Sequence, residues 1–181
     1  MLFGWGDLES RMARIAPELA SGPPEAGPAC RARPRVYLHV GQLFSAAQPH
    51  AVTTILGSCV SVCLWDPRRG VGGLNHFLLP HQPEADAAST RFGRVAIERL
   101  IEQLIALGSG PGNLQAKLFG GACSLEPVTE GREPLGAQNV RLARHVLRAS
   151  GIPVVATDVG GTQGRRLIFQ TDDGSAWVRR L

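Results

Sequence analysis

Length, composition and charge restrict the class of protein before any motif is considered. At 181 residues the chain has the length of one domain, and with 44% hydrophobic residues it can bury a sizeable core. Charged residues make up 19%, and no apolar run approaches the roughly 18 residues that span a bilayer, so we expect neither a disordered chain, nor a coiled coil, nor membrane insertion.

The charge and the first residues favour a cytoplasmic protein that does not bind nucleic acid. The net charge of +4 comes almost entirely from arginines, and these are scattered along the chain instead of being clustered. The N-terminal residues MLFGWGDLESR carry acids where a secretory signal carries bases. We therefore expect a cytoplasmic location and reduced cysteines.

An N-terminal extension over residues 1–34 precedes the main domain. Leu8, Met12, Ile15 and Leu19 follow a helical period, which predicts a weakly amphipathic helix over 5–20. Residues 21–34 are rich in proline and glycine and are typical of a linker. We interpret residues 35–181 as a single domain.

The first half of that domain reads as strands separated by turns. RVYLHV, beginning at Arg35, VTTIL and VSVCLW are β-rich, and the last two flank the corner Gly57-Ser58-Cys59. A turn at residues 66–70 precedes VGGLNHFLLP, which predicts a returning strand that ends at Pro80.

The second half alternates helices and strands. The apolar spacing predicts helices over 91–107 and 137–150, with the strand LQAKLF between them and a buried strand IPVVATD after them. Residues 171–174 predict a hairpin turn between two final strands. The order is not a regular βαβ alternation, so we expect an α/β domain of the α+β type, with mixed β-sheets flanked by two main helices.

Candidate chemistry is concentrated around Cys59. A corner between strands can lift a thiol clear of a sheet, and a tight turn at 66–70 would bring His76, seventeen positions later, back beside it. An imidazole close to a thiol can stabilise the thiolate and carry protons. Thr53 or Thr54, at the end of the preceding strand, could hold the other ring nitrogen.

Other cysteines, histidines and glycines have simpler interpretations. Cys30, Cys63 and Cys123 read as small apolar residues, and a zinc site at Cys59, Cys63 and His76 lacks a second cysteine pair. The remaining histidines have no partner nearby in sequence; they are His39, His50, His81 and His145. The glycines of 159–166 lack the Walker lysine and a following helix, so we interpret them as a backbone turn and not a phosphate loop.

Several blocks in register resemble one family. LGSCVSVCLWDP followed by GGLNHFLLP is similar to the signature of the CheD family, the chemoreceptor glutamine deamidases of bacterial and archaeal chemotaxis. RFGRVAIERLIEQLIALG, KLFGGA, LGAQNV and DVGGTQGRRLIF resemble further blocks of that family in the same order. The resemblance covers about 35–181; Phe92 and Gln138 depart from its common residues, and the extension has no counterpart.

The resemblance implies a site and a fold. Cys59 would be the nucleophile, His76 the general acid and base, and Thr53 the third member, with Thr54 in its place if the alignment slips by one residue. Gly57, Ser58 and Asn75 would supply oxyanion or backbone support. The fold would be similar to that of the cytotoxic necrotising factor deamidases, and the reaction would need neither a metal nor another cofactor.

The resemblance also implies a substrate and possible partners. The chain would deamidate glutamines on the cytoplasmic helices of methyl-accepting chemoreceptors through a Cys59 thiolate and a thioester, and the same route would permit hydrolysis of receptor methyl esters. An alternative is a non-catalytic adaptor that binds and stimulates a CheC-type chemotaxis phosphatase. A buried Cys59 would favour the adaptor, and an accessible, reactive one would favour the enzyme.

Overall fold

The structure is a computed structural model that describes residues 33–81, 88–123 and 133–181. Its strands are β1 (Arg35–Tyr37), β2 (Leu43–Ala46), β3 (Ala51–Leu56), β4 (Val60–Asp66), β5 (Val71–Asn75), β6 (Gln115–Gly120), β7 (Val154–Val159), β8 (Arg165–Gln170) and β9 (Ala176–Arg180). Its helices are α1 (Gly93–Ala106) and α2 (Leu135–Ala149), with a short 3-10 turn at Pro111–Asn113. The predicted helix at 5–20, Cys30 and most of the linker lie outside the described residues.

The described strands form two mixed sheets. The small sheet has the order β1-β3-β8-β9 and the large sheet the order β2-β5-β4-β6-β7. The pairs β1–β3 and β6–β7 are parallel, and the other neighbouring pairs are antiparallel. The chain therefore passes from the small sheet to the large one at the corner between β3 and β4.

Three layers bury two apolar cores, with the large sheet in the middle. Alternate residues of β4, such as Val62 and Leu64, face a core shared with Leu100 of α1 and Leu147 of α2. Residues of the opposite parity, such as Cys63, face a second core against the small sheet. Because side chains alternate across a strand, a central strand covered on both faces is apolar throughout, which explains the run VSVCLW.

Both predicted helices are confirmed to within two residues at each end. Gly108 and Gly151 follow the two helices with φ of 93° and 69°, which is the left-handed backbone that ends a helix. Ile105 near the end of α1 is 41% exposed, so it lies outside the buried face that includes Leu100 and Leu104. Neither helix of the described residues is long and apolar enough to cross a membrane.

The strand predictions need four corrections. The strand predicted from RVYLHV is regular only over Arg35–Tyr37. The short strand β2 was not predicted, and the strand predicted to run to Pro80 is regular only to Asn75. IPVVATD forms β7 but is not a buried strand: it lies at the edge of the large sheet, and Val155 is 42% exposed. Its valines are therefore typical of a pleated edge and not of a central strand.

The glycine-rich segment 159–166 is a backbone turn, as predicted. Arg165 is fully buried behind it, and its guanidinium donates to the carboxylate of Asp158 at 2.7 Å and to the carbonyls of Asp158 and Gly160. The turn between β7 and β8 is thus held from inside by one arginine. The predicted hairpin β8–β9 is also confirmed.

Candidate active site

Cys59 lies in the corner that connects the two sheets. Gly57, Ser58 and Cys59 are all partly exposed, and a side chain added at Gly57 would meet no atom within 4 Å. Cys59 packs at the margin of the core between the two sheets. Gly120 lies so close behind the corner that an added Cβ would come within 2.2 Å of the Cys59 carbonyl oxygen. The corner is therefore open in front and tightly supported behind.

The pairing of β4 with the segment after β5 brings His76 to the same face. Val60 and Phe77 exchange two backbone hydrogen bonds, of 3.1 and 3.0 Å. Continuing this register places Ser61 directly opposite His76. Cys59 lies two residues before Ser61, so its side chain is on the same face, toward the small sheet. Diagonal neighbours of this kind have Cβ atoms about 7–8 Å apart or less, a gap that a thiol and an imidazole can span.

Thr54, and not Thr53, holds the ring of His76. The Thr54 hydroxyl oxygen lies 2.8 Å from His76 Nδ1, and both residues are buried. Side chains alternate along β3, so Thr54 faces the core between the sheets, whereas Thr53 points to the opposite side. The assignment of this contact to Thr53 is corrected to Thr54, one residue later.

The hydrogen bonds of Thr54 define which nitrogen of His76 carries the proton. The Thr54 hydroxyl donates its only hydrogen to the Leu38 carbonyl at 2.8 Å. With that hydrogen given to Leu38, the hydroxyl accepts from the ring, and the assignment that satisfies both contacts puts the hydrogen of the neutral imidazole on Nδ1. Nε2 is left with its lone pair, is buried, and has no hydrogen-bond partner in the described part of the chain. This is the tautomer that a general base requires.

Burial disfavours the charged form of both titratable groups. Burial lowers the pKa of His76 to about 4; the Leu38 carbonyl opposes this effect, and nearby His39 adds to it. Burial also raises the pKa of the Cys59 thiol, and the residue's own backbone N–H offsets part of that rise. The sequence predicts an imidazole that stabilises the thiolate of Cys59. The pKa shifts instead favour an uncharged thiol and an uncharged ring, because neither charge is well solvated at its position.

Three consecutive carbonyls of the corner are fixed from behind. The Gly57 oxygen accepts from the Ala122 N–H at 2.8 Å, and the Cys59 oxygen accepts from the Gly121 N–H at 2.8 Å. Between them, the Ser58 oxygen accepts from the side-chain amide of Asn139 at 3.0 Å. The N–H groups of Gly57, Ser58 and Cys59 donate to no backbone acceptor among the described residues. They are available to a ligand at the corner.

Asn75 and Asn139 are both fully buried, and their side chains bind different backbone segments. The Asn75 side-chain oxygen accepts from the Val62 N–H at 2.9 Å, so Asn75 supports the backbone of β4 and does not point into the corner. Asn139 was not singled out as a site residue from the sequence. The sequence feature that could have identified Asn139 is an amide among the apolar residues on the inward face of the helix, because a buried amide needs polar partners.

The other cysteines and histidines lie apart from this arrangement. Cys63 is fully buried, and burial raises its pKa to about 12. Cys123 is partly exposed and borders a cleft of about 410 Å³ beside α2. Among the described residues no three His, Cys, Asp or Glu side chains are grouped closely enough to hold a metal ion.

Comparison with known proteins identifies a family. The family model for CheD chemotactic sensory transduction matches residues 78–180. A protein of Anaeromyxobacter dehalogenans named probable chemoreceptor glutamine deamidase CheD 1 is 49% identical over 174 residues, covering 95% of this chain and 99% of its own length. A protein of Sulfurimonas denitrificans named probable chemoreceptor glutamine deamidase CheD is 38% identical over 143 residues, covering 79% of this chain and 92% of its own length.

Two solved structures are more distantly similar. The hypothetical protein YfiH of Bacillus licheniformis is 18% identical with a TM-score of 0.44, over 66% of this chain and 51% of that one. Neisseria meningitidis protein NMB0706 is 15% identical with a TM-score of 0.39, over 72% of this chain and 63% of that one. The expected similarity to cytotoxic necrotising factor deamidases is not confirmed by these comparisons.

Proposed function

The chain belongs to the CheD family, and from that membership we propose that it hydrolyses glutamine side-chain amides on the cytoplasmic helices of methyl-accepting chemoreceptors. Its relatives in the two organisms above are named for glutamine deamidation of chemoreceptors. One observation supports the chemistry most strongly. The hydrogen bonds from Leu38 through Thr54 to His76 leave a base nitrogen unpaired on the face that Cys59 shares.

In the first half of the reaction, Cys59 acts as the nucleophile. His76 Nε2 takes the thiol proton as the sulfur attacks the amide carbon, so that the thiolate forms only when the substrate is in place. The negative charge that develops on the amide oxygen is received by free N–H groups of Ser58 and Cys59. A buried imidazolium with a low pKa is a strong acid, and it gives its proton to the leaving nitrogen. The C–N bond breaks, ammonia departs and a thioester remains.

In the second half, water replaces the amine. His76 Nε2 takes a proton from water while the oxygen attacks the thioester carbon. The C–S bond then breaks, the thiol recovers its proton from the imidazolium, and glutamate is released. A glutamate methyl ester could enter the same route, with methanol leaving in place of ammonia. Thr54 holds the ring through both halves, because Nδ1–H keeps its acceptor whether the ring is neutral or charged.

The partly exposed corner supports this enzymatic role over an adaptor. An adaptor for a CheC-type phosphatase would not need a thiol, a base and unpaired N–H groups at one opening. Here the surface of Gly57–Cys59 is accessible while the supporting contacts are internal. A substrate side chain can therefore approach the corner from solvent.

The test is deamidation of receptor cytoplasmic fragments, followed by mass spectrometry for amide-to-acid conversion. Wild type should convert specific glutamines, whereas Cys59→Ala and His76→Ala should not. Cys123→Ser and His145→Ala are matched controls at partly exposed and exposed positions outside the site, and both should retain conversion. Failure of the wild type to convert any fragment, together with stimulation of a CheC-type phosphatase, would replace the proposal with the adaptor role.

A further inference from the structure

Asn139 connects the two segments that carry the proposed catalytic groups. The residue is fully buried in the first half of α2, and its side-chain nitrogen donates to the Ser58 carbonyl at 3.0 Å and to the Leu78 carbonyl at 2.9 Å. Ser58 precedes Cys59, and Leu78 lies two residues after His76. One amide group therefore uses both of its hydrogens to tie the nucleophile segment to the histidine segment.

The bond to Ser58 also orients the following N–H group. A trans peptide is planar, and its carbonyl and N–H point in opposite directions. Because the Ser58 carbonyl is directed at Asn139 behind the corner, the N–H of Cys59 is directed to the front.

The neighbouring peptide follows the same rule. The Gly57 carbonyl is bonded to the Ala122 N–H, so the N–H of Ser58 also faces away from α2. Gly136, in the first turn of α2, packs against Gly121 and Ala122. The carbonyls of Gly57 and Ser58 are therefore fixed on the α2 side, and two successive N–H groups remain on the other side.

We propose that Asn139 is a positioning residue that fixes the Cys59 and Ser58 N–H groups as the oxyanion donors. The proposal rests on the proposed function, since it assigns the donors for that reaction. It makes Asn139 necessary for steps that pass through an oxyanion and unnecessary for the reactivity of the thiol itself.

The experiment compares two reactions of Cys59 that differ in this requirement. Acylation by p-nitrophenyl acetate passes through a tetrahedral oxyanion, whereas alkylation by iodoacetamide displaces iodide at a saturated carbon and does not. Both rates are measured at position 59 in a Cys123→Ser background, with and without Asn139→Ala or Asn139→Ser. Neither reaction needs a receptor, so the result is independent of whether glutamines are deamidated.

The ratio of the acylation rate to the alkylation rate should fall about 10²- to 10³-fold in Asn139→Ala, the usual loss for one oxyanion donor. Asn139→Ser retains one donor and should give a smaller loss. Val146→Ala, a buried residue further along α2, is the control for lost stability and should leave the ratio unchanged. An unchanged ratio in Asn139→Ala, or an equal fall in both reactions, would overturn the proposal, because it would show a structural role only.

Discussion

Replacing Thr54 by valine removes one hydroxyl while preserving the shape of the side chain. It deletes the acceptor of His76 Nδ1–H and the donor to the Leu38 carbonyl, both of which are buried. A buried donor left without a partner costs about 1–3 kcal/mol. The ring avoids that cost by changing tautomer or orientation, and each alternative removes the base from Nε2. The competent form therefore becomes rarer by about 5- to 150-fold.

We expect kcat for deamidation to fall by that factor in Thr54→Val, with the smaller value if the ring reaches the Leu38 carbonyl directly. Thr54→Ser keeps the hydroxyl and should retain most of the activity. Thr53→Val is the matched neighbour, whose side chain faces the other side of β3, and it should behave as wild type. The measurement is initial-rate kinetics on a receptor fragment, with a thermal melt for each variant. Equal losses in Thr53→Val and Thr54→Val, or none in Thr54→Val, would refute the assignment of the ring contact.

Three further predictions concern charge. Because burial lowers the pKa of His76 to about 4, the unfolded state takes up a proton between pH 6.5 and 4 while the folded state does not. Across that window the free energy of unfolding should fall by up to about 3 kcal/mol more in wild type than in His76→Gln. Parallel urea-denaturation profiles for the two proteins would contradict this. The alkylation rate of Cys59 without substrate should still be rising above pH 9, since burial raises the pKa of its thiol; a plateau below pH 7, measured with iodoacetamide, would instead indicate a resting thiolate. Asp158→Ala should lower the free energy of unfolding by about 3–5 kcal/mol, because it leaves the buried Arg165 guanidinium without its carboxylate. A change within error of zero in chemical denaturation would disprove this dependence.

Local sequence patterns were sufficient for most of the elements, though not for β2, and they were insufficient for the arrangement of the elements. The helices, the strands on either side of Gly57–Cys59 and the final hairpin follow from apolar periods and turn residues. The corner between β3 and β4 looks like a connection within one sheet but links two sheets, because strand pairing is decided by long-range contacts. The edge position of β7 was hidden for the same reason: valine is favoured on any pleated surface, buried or not.

The site was predictable to the extent that it depends on neighbours in the chain. The turn at 66–70 pairs β4 with β5, and that pairing alone brings His76 toward Cys59. The choice between Thr53 and Thr54 required the register of β3, since a shift of one residue moves a side chain to the opposite face. Asn139 contacts a carbonyl 81 positions away, and only the packing of α2 against the corner reveals its partner.

The most direct measurement of the reaction is interception of the acyl intermediate by hydroxylamine. Wild type incubated with a receptor cytoplasmic fragment and hydroxylamine should form glutamyl hydroxamate at the same positions that it otherwise converts to glutamate, because a Cys59 thioester reacts with either nucleophile. His76→Ala and Cys59→Ala should form neither product. Conversion to glutamate with no hydroxamate at any hydroxylamine concentration, or hydroxamate formation by Cys59→Ala, would contradict a thioester on Cys59.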